Sequence, residues 1–255
     1  MTRLGLIAAT VAAASLAACS GRGVQDLTAT SPSSAVKFYN FALNAPSVNF
    51  FANDVKVTAT NSTSGTESTA GTGYGSVAAG GFYTGIAPGA YTLSGRISAT
   101  VDNGVPIAST PVTLADGKGY SYYLSGPYNA ATKQSDAFIV EDAVPPIDYS
   151  QTFVRFVNAI YNANPLTLYA KNTVTGDSVA VGGAQAYKGA SAFVAMPGAA
   201  YDLTARYTGS NTAVITRAGV SFSTGRSYTI SARGDITVVS SSAATRPILD
   251  STPNF

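Results

Sequence analysis

The chain has 255 residues and a formal net charge of +2, and only 11% of its residues are charged, against about a quarter in ordinary globular domains. The basic residues are scattered rather than gathered into a stripe, which argues against nucleic-acid binding by neutralised phosphates. There is no histidine and a single cysteine, Cys19, which removes Ser-His-Asp triads, histidine bases, the common zinc and iron sites, and any disulfide within the chain.

In chain order, Arg3 is followed by an apolar and small-residue run from Leu4 to Ala18, the layout of a secretory signal. The run is shorter than the roughly 20 apolar residues that span a bilayer. It ends in Leu16-Ala17-Ala18-Cys19, which resembles the lipobox cut by bacterial lipoprotein signal peptidase just before the cysteine. We therefore expect residues 1–18 to be a lipoprotein signal peptide and Cys19 to carry the lipid. Ser20 stands where the Asp that commonly retains lipoproteins at the inner membrane would be. The resemblance thus implies the outer membrane of a Gram-negative bacterium, with the periplasmic or outer facing left open. Residues 19–34 are rich in Gly, Ser and Thr and read as a flexible tether.

Beyond the tether the sequence repeats itself. Val36-Lys37-Phe38-Tyr39-Asn40 with Asn44-Ala45 is answered by Val154-Arg155-Phe156-Val157-Asn158 with Asn162-Ala163. Pro88-Gly89 before Tyr91 returns as Pro197-Gly198 before Tyr201, Leu114 to Tyr120 as Phe222 to Tyr228, and Asp136 to Val140 as Asp235 to Val239. Strands are predicted at Val36 to Phe41, Val48 to Phe51, Tyr91 to Ile97, Gly119 to Leu124, Phe153 to Asn158, Leu166 to Ala170, Tyr201 to Tyr207 and Ser227 to Ala232. In the two strands that begin at Tyr91 and Tyr201, apolar and polar residues alternate. Thr58 to Gly81 reads as an extended loop or a poor edge strand.

The predicted fold is all-β: two tandem immunoglobulin-like, Greek-key β-sandwich domains at residues 35–144 and 153–242. A Pro-stiffened linker at 145–152 is expected to hold them apart semi-rigidly, with 243–255 as a C-terminal tail. Two turn expectations follow. Each Pro-Gly suits a type II turn with φ > 0 at the glycine, so that Gly89→Ala would be destabilising. The spacings Leu114…Gly117…Tyr120 and Phe222…Gly225…Tyr228 resemble a tyrosine corner, in which the hydroxyl bonds back to nearby backbone.

These motifs together, from Val154-Arg155-Phe156-Val157-Asn158-Ala159 through Pro197-Gly198 and Tyr201 to Gly225-Arg226-Ser227-Tyr228-Thr229, resemble domain of unknown function 4397 of secreted bacterial and archaeal proteins. The first half carries the same skeleton. Where that family often has His and Asp after its first strand, this chain has Asn40 and Asn158, and Asn44 and Asn162. The resemblance implies a fold and an extracytoplasmic location, and no activity or cofactor.

Little catalytic chemistry is left. Ser34-Ala35-Val36-Lys37 fits S-x-x-K, but it opens a predicted strand and the partner motifs of that serine machinery are missing, so we read it as chance. Only 13 acids are present, and most flank turns or the linker. Glu141, Asp142 and Asp148 are candidate calcium ligands at the domain junction, although no D-x-[DN]-x-[DN]-G loop accompanies them. Tyr128, Tyr149, Tyr161 and Tyr187 are candidate ligand contacts, because their amphipathic rings fall in predicted loops or strand ends. The expected function is a non-enzymatic envelope lipoprotein acting as an interaction, adhesion or spacer module. Its expected partners are the membrane, through its lipid, and an envelope protein or glycan. A carbohydrate-type binding protein is the alternative.

Overall fold

The computed structural model describes residues 33–58 and 70–254; the signal segment with Leu16, Ala17, Ala18 and Cys19, most of the tether and part of the stretch after Thr58 lie outside the described residues. The described residues contain no α-helix. No helix among them is long and apolar enough to cross a membrane.

The first half consists of β1 (Ser34–Asn40), β2 (Val48–Ala52), β3 (Val55–Lys56), β4 (Ser76–Val77), a 3-10 turn (Ala78–Gly81), β5 (Thr84–Ile86), β6 (Gly89–Ile97), β7 (Pro106–Leu114), β8 (Gly119–Asn129) and β9 (Gln134–Glu141). The second consists of β10 (Thr152–Asn158), β11 (Leu166–Asn172), β12 (Ser178–Gln185), β13 (Val194–Met196), β14 (Ala199–Tyr207), β15 (Ala213–Phe222), β16 (Ser227–Arg233) and β17 (Ile248–Pro253).

Each half is a sandwich of an antiparallel sheet on a mixed sheet. The antiparallel sheets run β3-β2-β6-β7 and β12-β11-β14-β15; the mixed ones run β4-β1-β8-β9, with β5 also on β1, and β13-β10-β16-β17. In both mixed sheets the first strand of the half lies parallel to a late one: Ala35 opposite Gly119 through Asn40 opposite Leu124, and Phe153 opposite Ser227 through Asn158 opposite Ala232. The residues facing inward from the two sheets close each core. In the first half Phe38 stacks on Phe50 at 5.0 Å, with Tyr122 edge-on to both. In the second, Val154, Phe156 and Ile230 of the mixed sheet meet Leu166, Leu168 and Leu203 of the antiparallel one. Full burial of an aliphatic or aromatic side chain contributes about 1.5–3 kcal/mol.

The tyrosine corners form in both halves. The backbone N–H of Ala115 donates to the Tyr120 hydroxyl at 3.1 Å, and that of Ser223 to the Tyr228 hydroxyl at 3.2 Å.

Several expectations are corrected. The Pro-Gly pairs are not type II turns. Gly89 has φ +150°, and Gly198 is not among the positive-φ glycines. Gly89 does hold the expected positive φ, although not the type II value, and is already paired to Leu114 as β6 begins, so Gly89→Ala is still expected to be destabilising. At Gly198 glycine serves close approach instead: a Cβ would lie 2.7 Å from Thr224 Cγ2 and 2.9 Å from its backbone nitrogen. Gly198→Ala is therefore expected to destabilise the protein by about 1–3 kcal/mol, read as a shift in the urea midpoint at constant slope. A midpoint equal to wild type would show that the 223–226 loop yields freely.

Residues 243–255 are not a tail. Ile248–Pro253 is the last strand of the second half, paired with β16, and Leu249 is fully buried. Asp235 to Val239, although similar in sequence to Asp136 to Val140, forms a turn and loop.

Nor does the linker hold the halves apart. The outward faces of the two mixed sheets bury each other, so that Lys37, Tyr39, Ser121, Tyr123, Arg155, Val157, Thr229 and Ser231 are all inaccessible. A third apolar cluster sits there, in which Tyr39, Phe41, Tyr123 and Phe138 of the first half pack on Val157 and Ala159 of the second. The halves thus form a four-layer stack. Strands covered on both faces lose the simple alternation of half-buried ones.

Candidate functional site

The layer between the mixed sheets is the most chemically distinctive place in the protein. At its centre Tyr123 stacks between Tyr39 (4.3 Å) and Phe138 (4.8 Å), and its hydroxyl lies 3.2 Å from that of Ser231. Ser125 donates to the Ala159 carbonyl at 2.8 Å.

Toward the starts of β1 and β10 the layer becomes ionic, and it is built twice. Lys37, on β1, donates to the Pro253 carbonyl at 2.5 Å and to Asn254 Oδ1 at 3.3 Å, with its ammonium 4.4 Å from the Tyr83 ring centroid. Arg155, at the same place on β10, donates to the Glu141 carbonyl at 3.1 Å and to Asp142 Oδ1, with its guanidinium 5.0 Å from the Phe193 ring. Ser121 donates to Asp142 Oδ2 at 2.8 Å, while Thr229 donates to Asn254 Oδ1 at 3.2 Å. Each sandwich thus sends a cation to the end of the other's last strand. The two halves meet as the two subunits of an isologous dimer do.

The symmetry breaks at one pair of positions: Arg155 meets a carboxylate at Asp142, whereas Lys37 meets only the amide of Asn254. Two buried cations therefore share one anion. Burial pulls the Lys37 ammonium down to about 8, opposed by the Asp142 carboxylate and reinforced by the Arg155 guanidinium. At Arg155 burial is again the largest influence and works in the same direction, but the Asp142 charge and hydrogen bond together with Tyr123 and Tyr83 outweigh it and leave the guanidinium above its ordinary value. Tyr83 donates to Asp142 Oδ2 at 2.6 Å, and burial followed by the Asp142 charge pushes its phenol far up. A shallow cleft of about 350 Å³ opens beside this cluster, lined by Ser33, Tyr83, Lys118, Asp142, Val144 and Asn254.

The expected calcium ligands do not assemble. Glu141 pairs with Lys118 at 2.6 Å, Asp142 is taken by Arg155, Tyr83 and Ser121, and Asp148 caps its own turn through Ser150 and Gln151. Among the described residues no group of three metal-ligating side chains is present.

The four candidate tyrosines are dispersed. Tyr128 packs on the first core, and Tyr187 lies between the halves, donating to Asp136 at 3.1 Å with its ring edge-on to Phe138. Tyr149 projects from the linker, 82% exposed, while Tyr161 sits on the loop after β10. Asn40 and Asn158 are buried at matching strand ends, where their side-chain amides donate to the Thr72 and Gln185 carbonyls at 2.8 and 3.0 Å. Lys37 and Arg155, at matching places in the repeat, are functional residues of this layer that no motif marks in the sequence. The available signal was a basic residue kept at one place in both copies of a weakly charged sequence.

The fold and this internal layer define an all-β protein of two sandwiches with the same strand order. The chain belongs to the family described as Domain of unknown function (DUF4397), which matches residues 34–169, more than half of its length. The match covers the first sandwich, the linker, β10 and the first part of β11. No curated protein matches the chain.

Proposed function

We propose that this chain is a non-enzymatic lipoprotein of the cell envelope, anchored through Cys19 and most at home in an outer membrane, whose two sandwiches act together as an interaction and spacer body. The observation that carries this reading is the buried, doubly built layer between the halves. It commits the innermost charged groups to holding the body together, and the end loops are left as contact surfaces. We also read each half as an immunoglobulin-like domain and the pair as a tandem duplication, on the parallel first strands, the two tyrosine corners and the repeated Lys37 and Arg155 positions. The dispersed tyrosines give a carbohydrate site no common wall. The partner class is accordingly an envelope protein or glycan met through loops.

The anchor is tested by expressing the full chain with its own signal in a Gram-negative host and fractionating the envelope. Wild type is expected with outer membranes and Cys19→Ala in the soluble extracytoplasmic fraction. A Cys19→Ala chain that still sediments with membranes overturns the reading.

A further inference from the structure

The internal two-fold gives the molecule two unlike ends. The start of β1 lies beside the loop before β8, since the Ala35 N–H donates to the Lys118 carbonyl at 3.1 Å. The linker and the end of β17 are at this same end, because Ser33, Lys118, Val144 and Asn254 line one cleft. The turns after β2 and β11 point the same way. The N–H groups of Asn53 and Thr173 donate to the carbonyls of Thr92 and Ala200, near the starts of β6 and β14.

Exposed apolar side chains stand at the tips of this end. Val55, the first residue of β3 just past the turn after β2, and Val174, on the turn after β11, mark its outer edges, with Val174 89% exposed. Ile147 and Tyr149, on the linker between the halves, are also exposed. The Tyr149 ring rests against Gly225, where a Cβ would lie 3.0 Å from it. That contact places the ring beside the loop before β16, at this end of the protein. Four apolar tips thus run from one outer layer, across the linker, to the other.

We infer that this end lies on the surface of the lipid bilayer that holds Cys19, with Val55, Ile147, Tyr149 and Val174 seated at its interface. The inference rests on the anchor proposed above. Its occupant is set by where the chain leads: the tether joins the body at Ser33, on this same end. Only the 14 residues 19–32 separate the lipid from that point, a mean span of roughly 20 Å. Such a link makes docking an intramolecular event, in which weak apolar contacts suffice. Tyrosine and aliphatic tips suit the headgroup boundary. Lys118 and Glu141 pair with each other there, and acids flank the tips, Asp54 beside Val55, Asp148 between Ile147 and Tyr149, and Asp177 shortly after Val174, so the contact is expected to form on zwitterionic lipid and to gain nothing from anionic headgroups. The opposite end, with Val101 and Val239, then faces away from the membrane as the presenting surface.

The chain has no tryptophan, which makes a single inserted one a clean reporter. Full-length lipidated protein carrying Tyr149→Trp is reconstituted in phosphatidylcholine vesicles containing bromine-labelled lipid, with Val174→Trp as a second reporter and Val239→Trp as the far-end control. Tryptophan at 149 and at 174 is expected to lose most of its emission and shift to the blue, and at 239 to emit as in solution. Floating vesicles with no quenching at 149 or 174 overturn the inference and leave the anchor intact. Equal quenching at all three positions overturns it in favour of a body lying on its side. Protein that does not float with vesicles overturns both.

Discussion

Asp142→Ala is expected to lower the stability of the protein by about 3–5 kcal/mol, the cost of leaving a buried charge without its partner. Asp142 is 5% exposed, and both its carboxylate oxygens are occupied: Oδ1 by Arg155, and Oδ2 by the Tyr83 and Ser121 hydroxyls. Removing it leaves Arg155 and Lys37 both buried without the carboxylate they share, and strands two hydroxyl donors. The loss is read as a fall in urea midpoint. The same variant should unfold in two steps, because the layer it damages joins two separate cores. Pairing it with Arg155→Met removes both charges, and the double variant is expected to be more stable than Asp142→Ala alone. A single variant within 1 kcal/mol of wild type would mean that water enters the layer and the halves are only loosely joined.

The fold class was legible in the sequence because the signals that set it are local. Val48 to Phe51 and Leu166 to Ala170 appear as strands where β2 and β11 lie, and the Tyr120 and Tyr228 corners need only a fixed spacing from the backbone they touch. The last strand was lost for the opposite reason. Ile248–Pro253 follows a loop with no counterpart in the first half, so the local likeness of Asp235 to Val239 was the stronger signal. The Pro-Gly pairs misled because the same dipeptide serves a turn or a close approach, and what decides between them is Thr224, which closes on Gly198 from another loop. The layer between the sandwiches was invisible for a deeper reason. Lys37 and Arg155 look like the wet face of a half-buried strand, and only the partner sheet makes them buried. Asp142 likewise reads as a solvated linker acid until Arg155, 13 residues on, folds back onto it.

Lys37 gives the same layer a dependence on pH that can be worked out in sign. Its folded-state value is lowered to about 8, while in the unfolded chain it stays near the ordinary lysine value of 10.5. Below pH 8 the ammonium is charged in both states and the fold bears its desolvation. Between pH 8 and about 10.5 the folded chain releases the proton while the unfolded chain still holds it, so stability rises with pH, by up to roughly 3 kcal/mol. Above about pH 10 the trend reverses. Tyr39, Tyr83 and Tyr123 are raised in the fold, chiefly by burial, so the unfolded chain loses their protons first and gains in stability. Wild type should therefore be most stable between about pH 9 and 10. Lys37→Met keeps much of the apolar stem without the charge and is expected to be more stable than wild type at pH 7, nearly flat from pH 8 to about 9, and to fall beyond that as the unfolded tyrosines ionise. Asn254→Asp should act differently, giving Lys37 the carboxylate that Asp142 gives Arg155 and moving the rise to higher pH. Urea midpoints collected at half-unit steps of pH on the three proteins separate these outcomes. A wild-type curve that falls steadily from pH 8 would show that the Pro253 carbonyl and the Tyr83 ring hold the proton on Lys37 throughout.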